Sequence, residues 1–176
     1  MKGFTRENPY LSLCGLNCRL CPMQISGNCG GCGFGNQGCP IDRCSRYRGG
    51  YEYCTQCPKY PCGKYAHVDD YDSFITHRNQ KQDLEKMQRI GEDAYNAEQM
   101  EKRRILDRLL ADYNDGRKKT LFCLAINLME LKTLQEILYQ ADGEFRELPI
   151  KERSAAIAQL VKDRSTVELK QRKKQG

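Results

Sequence analysis

Ten of the 11 cysteines lie between Cys14 and Cys62. They are spaced as Cys14-x3-Cys18-x2-Cys21, Cys29-x2-Cys32, Cys39-x4-Cys44 and Cys54-x2-Cys57-x4-Cys62. A CxxC turn lets two sulfurs converge on one centre while its amides point at them, which is why zinc and iron sites both reuse it. Three such pairs in one short stretch predict metal ligation, and all ten thiols are candidate ligands. The glycines of Cys29-Gly30-Gly31-Cys32-Gly33 supply the left-handed backbone that such a knuckle requires.

Ten thiols fill two four-ligand sites with two left over. His67 follows Cys62 closely, so a mixed site of Cys54, Cys57, Cys62 and His67 is an option, although an exposed histidine at a domain junction is the preferred reading. His77 sits in a polar stretch and reads as solvated. Cys123 lies on an apolar stripe with Leu121 and Leu124 and reads as a small buried hydrophobe. Zinc accepts all-thiolate sites at these spacings and is the first expectation. Clusters of the [4Fe-4S] type are the alternative, because Cys21, Cys39 and Cys57 are each followed by Pro, as cluster ligands can be. Cys29-x2-Cys32-x6-Cys39-x4-Cys44 also loosely resembles auxiliary-cluster domains. The triad Cys14, Cys18 and Cys21 has the spacing of radical S-adenosylmethionine enzymes, but the repeated strand and helix units of that barrel do not follow it.

Four segments together resemble a known family: Leu13-Cys14-Gly15-Leu16-Asn17-Cys18-Arg19-Leu20-Cys21-Pro22, Cys29-Gly30-Gly31-Cys32, Cys39-Pro40-Ile41-Asp42-Arg43-Cys44 and Cys54-Thr55-Gln56-Cys57-Pro58-Lys59-Tyr60-Pro61-Cys62. It is the prokaryotic cysteine-rich family catalogued as domain of unknown function 3795. The resemblance covers roughly residues 10 to 66, and the stretch from Asp115-Gly116-Arg117-Lys118-Lys119 to Leu121-Phe122-Cys123-Leu124-Ala125 looks like a long branch of it. It implies metal binding and no established reaction. All ten N-terminal cysteines match the pattern, while the segment between Cys21 and Cys29 is unusually short.

These thiols sit in a chain of 176 residues with a net charge of +6. Residues 1–66 are rich in Gly, Pro and Cys and lack an apolar period long enough for a substantial helix, so metal is the expected core of this region. From 67 to 165 helix formers dominate, and a bundle of four or five antiparallel helices is expected. Residues 166–176 read as a frayed basic tail. The fold class that follows is mostly α: a small metal-stabilised cysteine-rich N-terminal region with irregular loops, then an α-helical bundle.

Within the bundle, Lys81 to Ile90 predicts a helix stopped near Gly91. Asn96 with Gln99 predicts the N-cap of the next, which ends at Asn114-Asp115-Gly116. Leu121 to Leu128 carries a third stripe. Thr133 with Glu136 predicts a capping box, Gly143 a helix end, and Pro149 the start of a last helix.

Eight Lys/Arg face three Asp/Glu over residues 1–66, an excess that thiolate sites of charge about −2 would offset. Arg46, Tyr47, Arg48, Tyr51 and Tyr53 interleave bases with aromatics, which keeps a nucleic-acid-binding zinc module as a further alternative. Arg117, Lys118 and Lys119 at a helix junction suggest a solvated helix start ahead of a phosphate site. No apolar run follows Lys2 and Arg6, and the longest run, Leu121 to Ile126, is too short for a bilayer, so a cytoplasmic protein without membrane contact is expected. Walker, dinucleotide, HExxH and G-x-S-x-G signatures are absent. The expectation is therefore a metal-binding protein that acts through protein partners, leaning away from an enzyme, with electron transfer as the role of the iron-sulfur alternative.

Overall fold

The computed structural model describes residues 5–36 and 38–174. Among them are seven α-helices, short 3-10 turns and one isolated bridge between Leu11 and Asn17, with no strand. The helices are α1 (Pro22–Ile25), α2 (Pro40–Tyr47), α3 (Gln80–Ile90), α4 (Glu92–Asp112), α5 (Lys119–Leu128), α6 (Leu131–Glu144) and α7 (Ile150–Arg164). The protein is thus mostly helical, with its N-terminal cysteines in irregular loops. No helix among the described residues is long and apolar enough to cross a membrane. The chain divides into two compact units, Met1–Ala97 with Arg172–Gly176, and Glu98–Gln171, so the division falls inside α4.

The first unit has a small core of Leu11, Tyr53, Tyr65, Leu84, Met87 and Tyr95, with Cys54, Tyr60, Cys62 and Val68 packed against it. Composition changes near Ala66, yet α3 and the first turn of α4 belong to this unit, because Leu84, Met87 and Tyr95 bury against residues of the cysteine-rich segment. Gly15 fixes how closely α3 approaches. Its φ is +97°, and a Cβ there would collide with the Gln80 carbonyl oxygen. The chain also returns to this unit near its end: the Asp72 amide donates to the Arg172 carbonyl at 2.8 Å, and the Arg172 amide donates to Asp72 Oδ2 at 2.8 Å.

The second unit buries Leu106, Leu109, Phe122, Ile126, Leu134, Ile137, Ile157 and Val161. Asp142 of α6 ties to α4, accepting from Arg108 at 2.8 Å and from the Tyr113 hydroxyl at 2.7 Å. Cys123 is buried on the apolar stripe as expected, and Pro149 is the N-cap of α7.

Three local expectations are corrected. Asn96 does not start a helix: α4 runs from Glu92, with Glu92 and Asp93 favouring its N-terminus and the Gly91 carbonyl accepting the Tyr95 amide at 3.1 Å. Thr133 and Glu136 form no cap, because the good helix formers Leu131 and Lys132 let α6 begin earlier, after Glu130. Gly143 lies inside that helix, which ends at Glu144.

Candidate metal centre

None of the 11 cysteines is in a disulfide. In two of the CxxC pairs the chain makes a 3-10 turn, the second cysteine's amide donating to the first's carbonyl: Cys21 to Cys18 at 3.1 Å and Cys57 to Cys54 at 3.0 Å. Each turn sets two thiols close together on one local frame. Cys21 and Cys39 are the extended N-cap residues of α1 and α2, and the Pro after each occupies the first helical position. Proline suits that place because its missing N–H has no partner to lose there. In the third pair Gly31 and Gly33 have positive φ, as expected, and the Gly31 amide donates to the Cys29 sulfur at 3.4 Å.

Four thiols, Cys44, Cys54, Cys57 and Cys62, line one cavity of about 330 Å³. Cys44 comes from α2, Cys54 and Cys57 from a 3-10 turn, and Cys62 from the start of the turn at Gly63–Tyr65. The turn that brings α2 back to Cys54 is closed by the Gly50 amide on the Ser45 carbonyl at 2.9 Å and by the Ser45 hydroxyl on the Tyr51 carbonyl at 2.8 Å. Ile41, Tyr60 and Tyr65 give the cavity a largely apolar wall, the two tyrosine rings meeting edge to face at 4.9 Å. Burial pushes the Cys54 thiol up to about 11, the nearby Cys62, Cys44 and Cys57 push the same way, and the neighbouring Tyr65 hydroxyl acts against them. His67 is not among these groups. Its side chain is 83% exposed and its Nδ1 lies 2.9 Å from Asp70 Oδ2, so Cys44 stands where the sequence offered a histidine.

The other six thiols form a second neighbourhood. Cys14 is within electrostatic reach of Cys39, Cys32 and Cys18, and Cys18 of Cys32, Cys21 and Cys29. Burial first, then these neighbours, pushes Cys14 well above the usual thiol range and Cys18 up to about 12, while the Ser12 hydroxyl and the Cys32 amide act against the shift. Burial also raises Cys32, opposed by the Leu13 amide and the Arg6 charge. The loop that carries Cys14 and Cys18 is tied down from several sides. Gln80 Nε2 donates to the Cys14 carbonyl at 2.9 Å, the Tyr65 hydroxyl to the same oxygen at 3.2 Å, Asn17 to Asp83 at 2.9 Å and Tyr95 to Asn17 at 2.8 Å. The Cys54 amide donates to the Leu13 carbonyl at 3.0 Å, so the two thiol groups share a backbone link as well as Tyr65.

Two contributors escaped the sequence reading. Arg6 is buried: it donates to the Leu11 carbonyl at 2.7 Å, pairs with Glu52 at 2.8 Å, lies 5.0 Å from the Tyr53 ring centre and hydrogen-bonds Cys32. A lone arginine near the N-terminus gives no sequence signal of that role. Tyr65 sat in a polar stretch that offered no period. His77, expected to be solvated, is half-buried and structural: its Nδ1 faces the Val68 carbonyl at 2.9 Å, so that nitrogen carries the hydrogen, and Nε2 meets the Ser73 hydroxyl at 2.8 Å.

Other candidates lose their chemistry. The amides before α5 are already taken, Gly116 and Lys118 donating to Asn114 Oδ1 and Arg117 to Asp115 Oδ1, each at 3.0 Å. Of the interleaved bases and aromatics, Tyr53 is buried and Tyr51 lines the thiol cavity, which leaves Tyr47 as the exposed ring of that set.

Among the described residues, no group of three or more His, Cys, Asp or Glu side chains is arranged to hold a metal ion. No family model, curated protein or solved structure matches the chain.

Proposed function

We propose that this chain is an iron-sulfur protein that holds a [4Fe-4S] cluster on Cys44, Cys54, Cys57 and Cys62 and serves electron transfer in a reducing compartment such as the cytoplasm. The observation that carries this reading is the cavity of about 330 Å³ lined by four thiols. A zinc ion bonds sulfur at about 2.3 Å, which draws four thiolates to roughly 3.8 Å from one another and leaves no hollow between them. The cavity has about twenty times the roughly 15 Å³ that one small occupant needs. A polynuclear cluster has room beside these four thiols, which supports the cluster over a lone ion.

The donor set fits the group. Four cysteine thiolates are the usual ligands of a [4Fe-4S] cluster, and an apolar wall limits solvent access. When bound, the cluster would supply one-electron oxidation and reduction. The chain's own residues would ligate it, exclude water through Ile41 and Tyr60, and keep the Tyr65 hydroxyl, which donates to the Cys14 carbonyl, near the Cys54 sulfur. Cys14, Cys18, Cys21, Cys29, Cys32 and Cys39 offer more than enough thiols for a second cluster, with Arg6 compensating charge at Cys32.

The test is iron, zinc and acid-labile sulfide content, with an absorption spectrum, on protein purified without oxygen. About four iron and four sulfide per filled site, with a broad visible band bleached by reductant, support the reading. About two zinc per chain, no sulfide and no visible band would overturn it and return the thiols to a structural role.

A further inference from the structure

The cavity holding Cys44 opens beside a second, shallower depression of about 530 Å³ that shares Cys44, Arg48 and Lys64 with it and adds Arg43 and Tyr47. Lys59 stands on the rim of the first. Arg43, Arg48, Lys59 and Lys64 are all exposed, and none makes an ion pair among the described residues. The only carboxylates between Pro40 and Ala66 are committed elsewhere: Asp42 is buried 3.3 Å from Arg46, and Glu52 pairs with Arg6 at 2.8 Å. Neither depression has an acidic residue in its lining.

Charge compensation accounts for part of this rim and not all of it. A four-thiolate cubane carries about −2, so four cations leave a local excess of about two positive charges. The excess surrounds Cys44, which both depressions share, and Tyr47 stands 89% exposed beside it. Exposed tyrosine with arginine is the composition of interface anchors, and unpaired cations at a rim steer an anionic partner.

We propose that this face docks an acidic electron-carrier protein, and that single electrons pass between that carrier and the cluster past Cys44. The step moves one electron from the reduced member to the oxidised one, with no bond made or broken. This inference rests on the cluster reading, and its test separates the two.

The test compares the protein, the triple variant Arg43→Glu, Arg48→Glu, Lys64→Glu, and a charge-matched control, Lys132→Glu, Arg146→Glu, Lys151→Glu, in the helical unit. All are purified without oxygen and assayed for iron and sulfide. The reduced proteins are mixed with iron(III)-EDTA, an anionic oxidant, and separately with hexaammineruthenium(III), a cationic one. Binding to poly-L-glutamate and to a random single-stranded RNA is measured on the same samples. The rim variant should react with the anion about tenfold more slowly at low salt, a gap that closes as salt rises, while the cation gains. The control should show a smaller effect, and polyglutamate binding should fall in the rim variant alone.

Equal rates for rim and control variants that both carry iron and sulfide overturn the docking face and leave the cluster standing. Protein without iron and sulfide overturns the electron-carrier role together with the cluster. Saturable RNA binding through the same three cations, with polyglutamate inert, overturns the acidic-protein identity.

Discussion

Cys44 decides the composition of the four-thiol group. By spacing it belongs with Cys39, and nothing in that spacing joins it to Cys54, Cys57 and Cys62 in place of His67. What joins them is the turn closed on Ser45, a side-chain hydroxyl to a backbone carbonyl, and no periodicity records such a bond. The candidate ligands themselves were legible, since residue type and CxxC spacing name them directly. Their partition was not, because it depends on where loops fold back. Cys44→Ser should therefore remove about half of the iron if both thiol groups are filled, while His67→Ala, at an exposed side chain bonded to Asp70, should leave iron content and the visible band unchanged. Iron analysis with the absorption spectrum checks both. Loss of the band in His67→Ala would mean that the imidazole reaches the cluster.

At the scale of elements, helix stripes were readable and helix starts were less so. Leu106 and Leu109, and Leu134 and Ile137, lie buried at helical spacing, whereas Leu84 and Met87 are buried in a stretch that reads as polar. The starts at Asn96 and Thr133 failed because a capping pair is not required to begin a helix: the i→i−4 ladder already runs from the Gly91 and Glu130 carbonyls to the Tyr95 and Leu134 amides. Gly15 shows how an element positions the thiols. Its left-handed backbone and its contact with the Gln80 carbonyl set the distance between α3 and the Cys14 loop. Gly15→Ala should cost about 2 kcal/mol, combining αL strain with a displaced helix. Gly116→Ala has the same sign of φ and open space around it, so it should cost about 1 kcal/mol. Urea unfolding of the two variants under identical metal content checks the difference. Equal costs would mean that α3 moves away without penalty.

For the whole molecule, a tie across 100 residues joins Asp72 to Arg172. Burial alone would raise the Asp72 carboxyl, but the amides of Arg172 and His77, the Thr76 hydroxyl and the Arg172 charge together hold it below its ordinary value of 3.8. A lowered folded pKa means stability that is complete above the unfolded value near 3.8 and lost as pH falls through the folded one. Asp72→Asn should mimic that loss at neutral pH, speeding exchange of the Arg172 and His77 amides about tenfold, equivalent to about 1.4 kcal/mol. Unchanged exchange in the variant would show that neighbouring contacts carry the tie.

The two units differ in what holds them. The helical unit buries a run of Leu, Ile, Phe and Val from four helices, a core that hydrophobic burial can sustain. The first unit gathers Leu11, Leu84 and Met87 with three tyrosines into one cluster, buries Leu13, Leu20 and Ile75 as well, and sets Cys54 and Cys62 against that cluster, so thiols form part of its interior. Ligand binding to the folded state alone adds its free energy to stability, which for structural metal sites reaches on the order of 10 kcal/mol. Removing metal with a chelator under reducing conditions, or changing Cys32 to Ser, should therefore open the first unit to proteolysis between Cys14 and Ala66. The helical signal of residues 98–171 should survive in large part. Circular dichroism with limited proteolysis reads both at once. If metal-free protein kept its protection across the cysteine-rich segment, the tyrosine core and the hydrogen bonds to Cys14 and Asn17 would be enough to hold this unit, and the cysteines would be there for electrons alone.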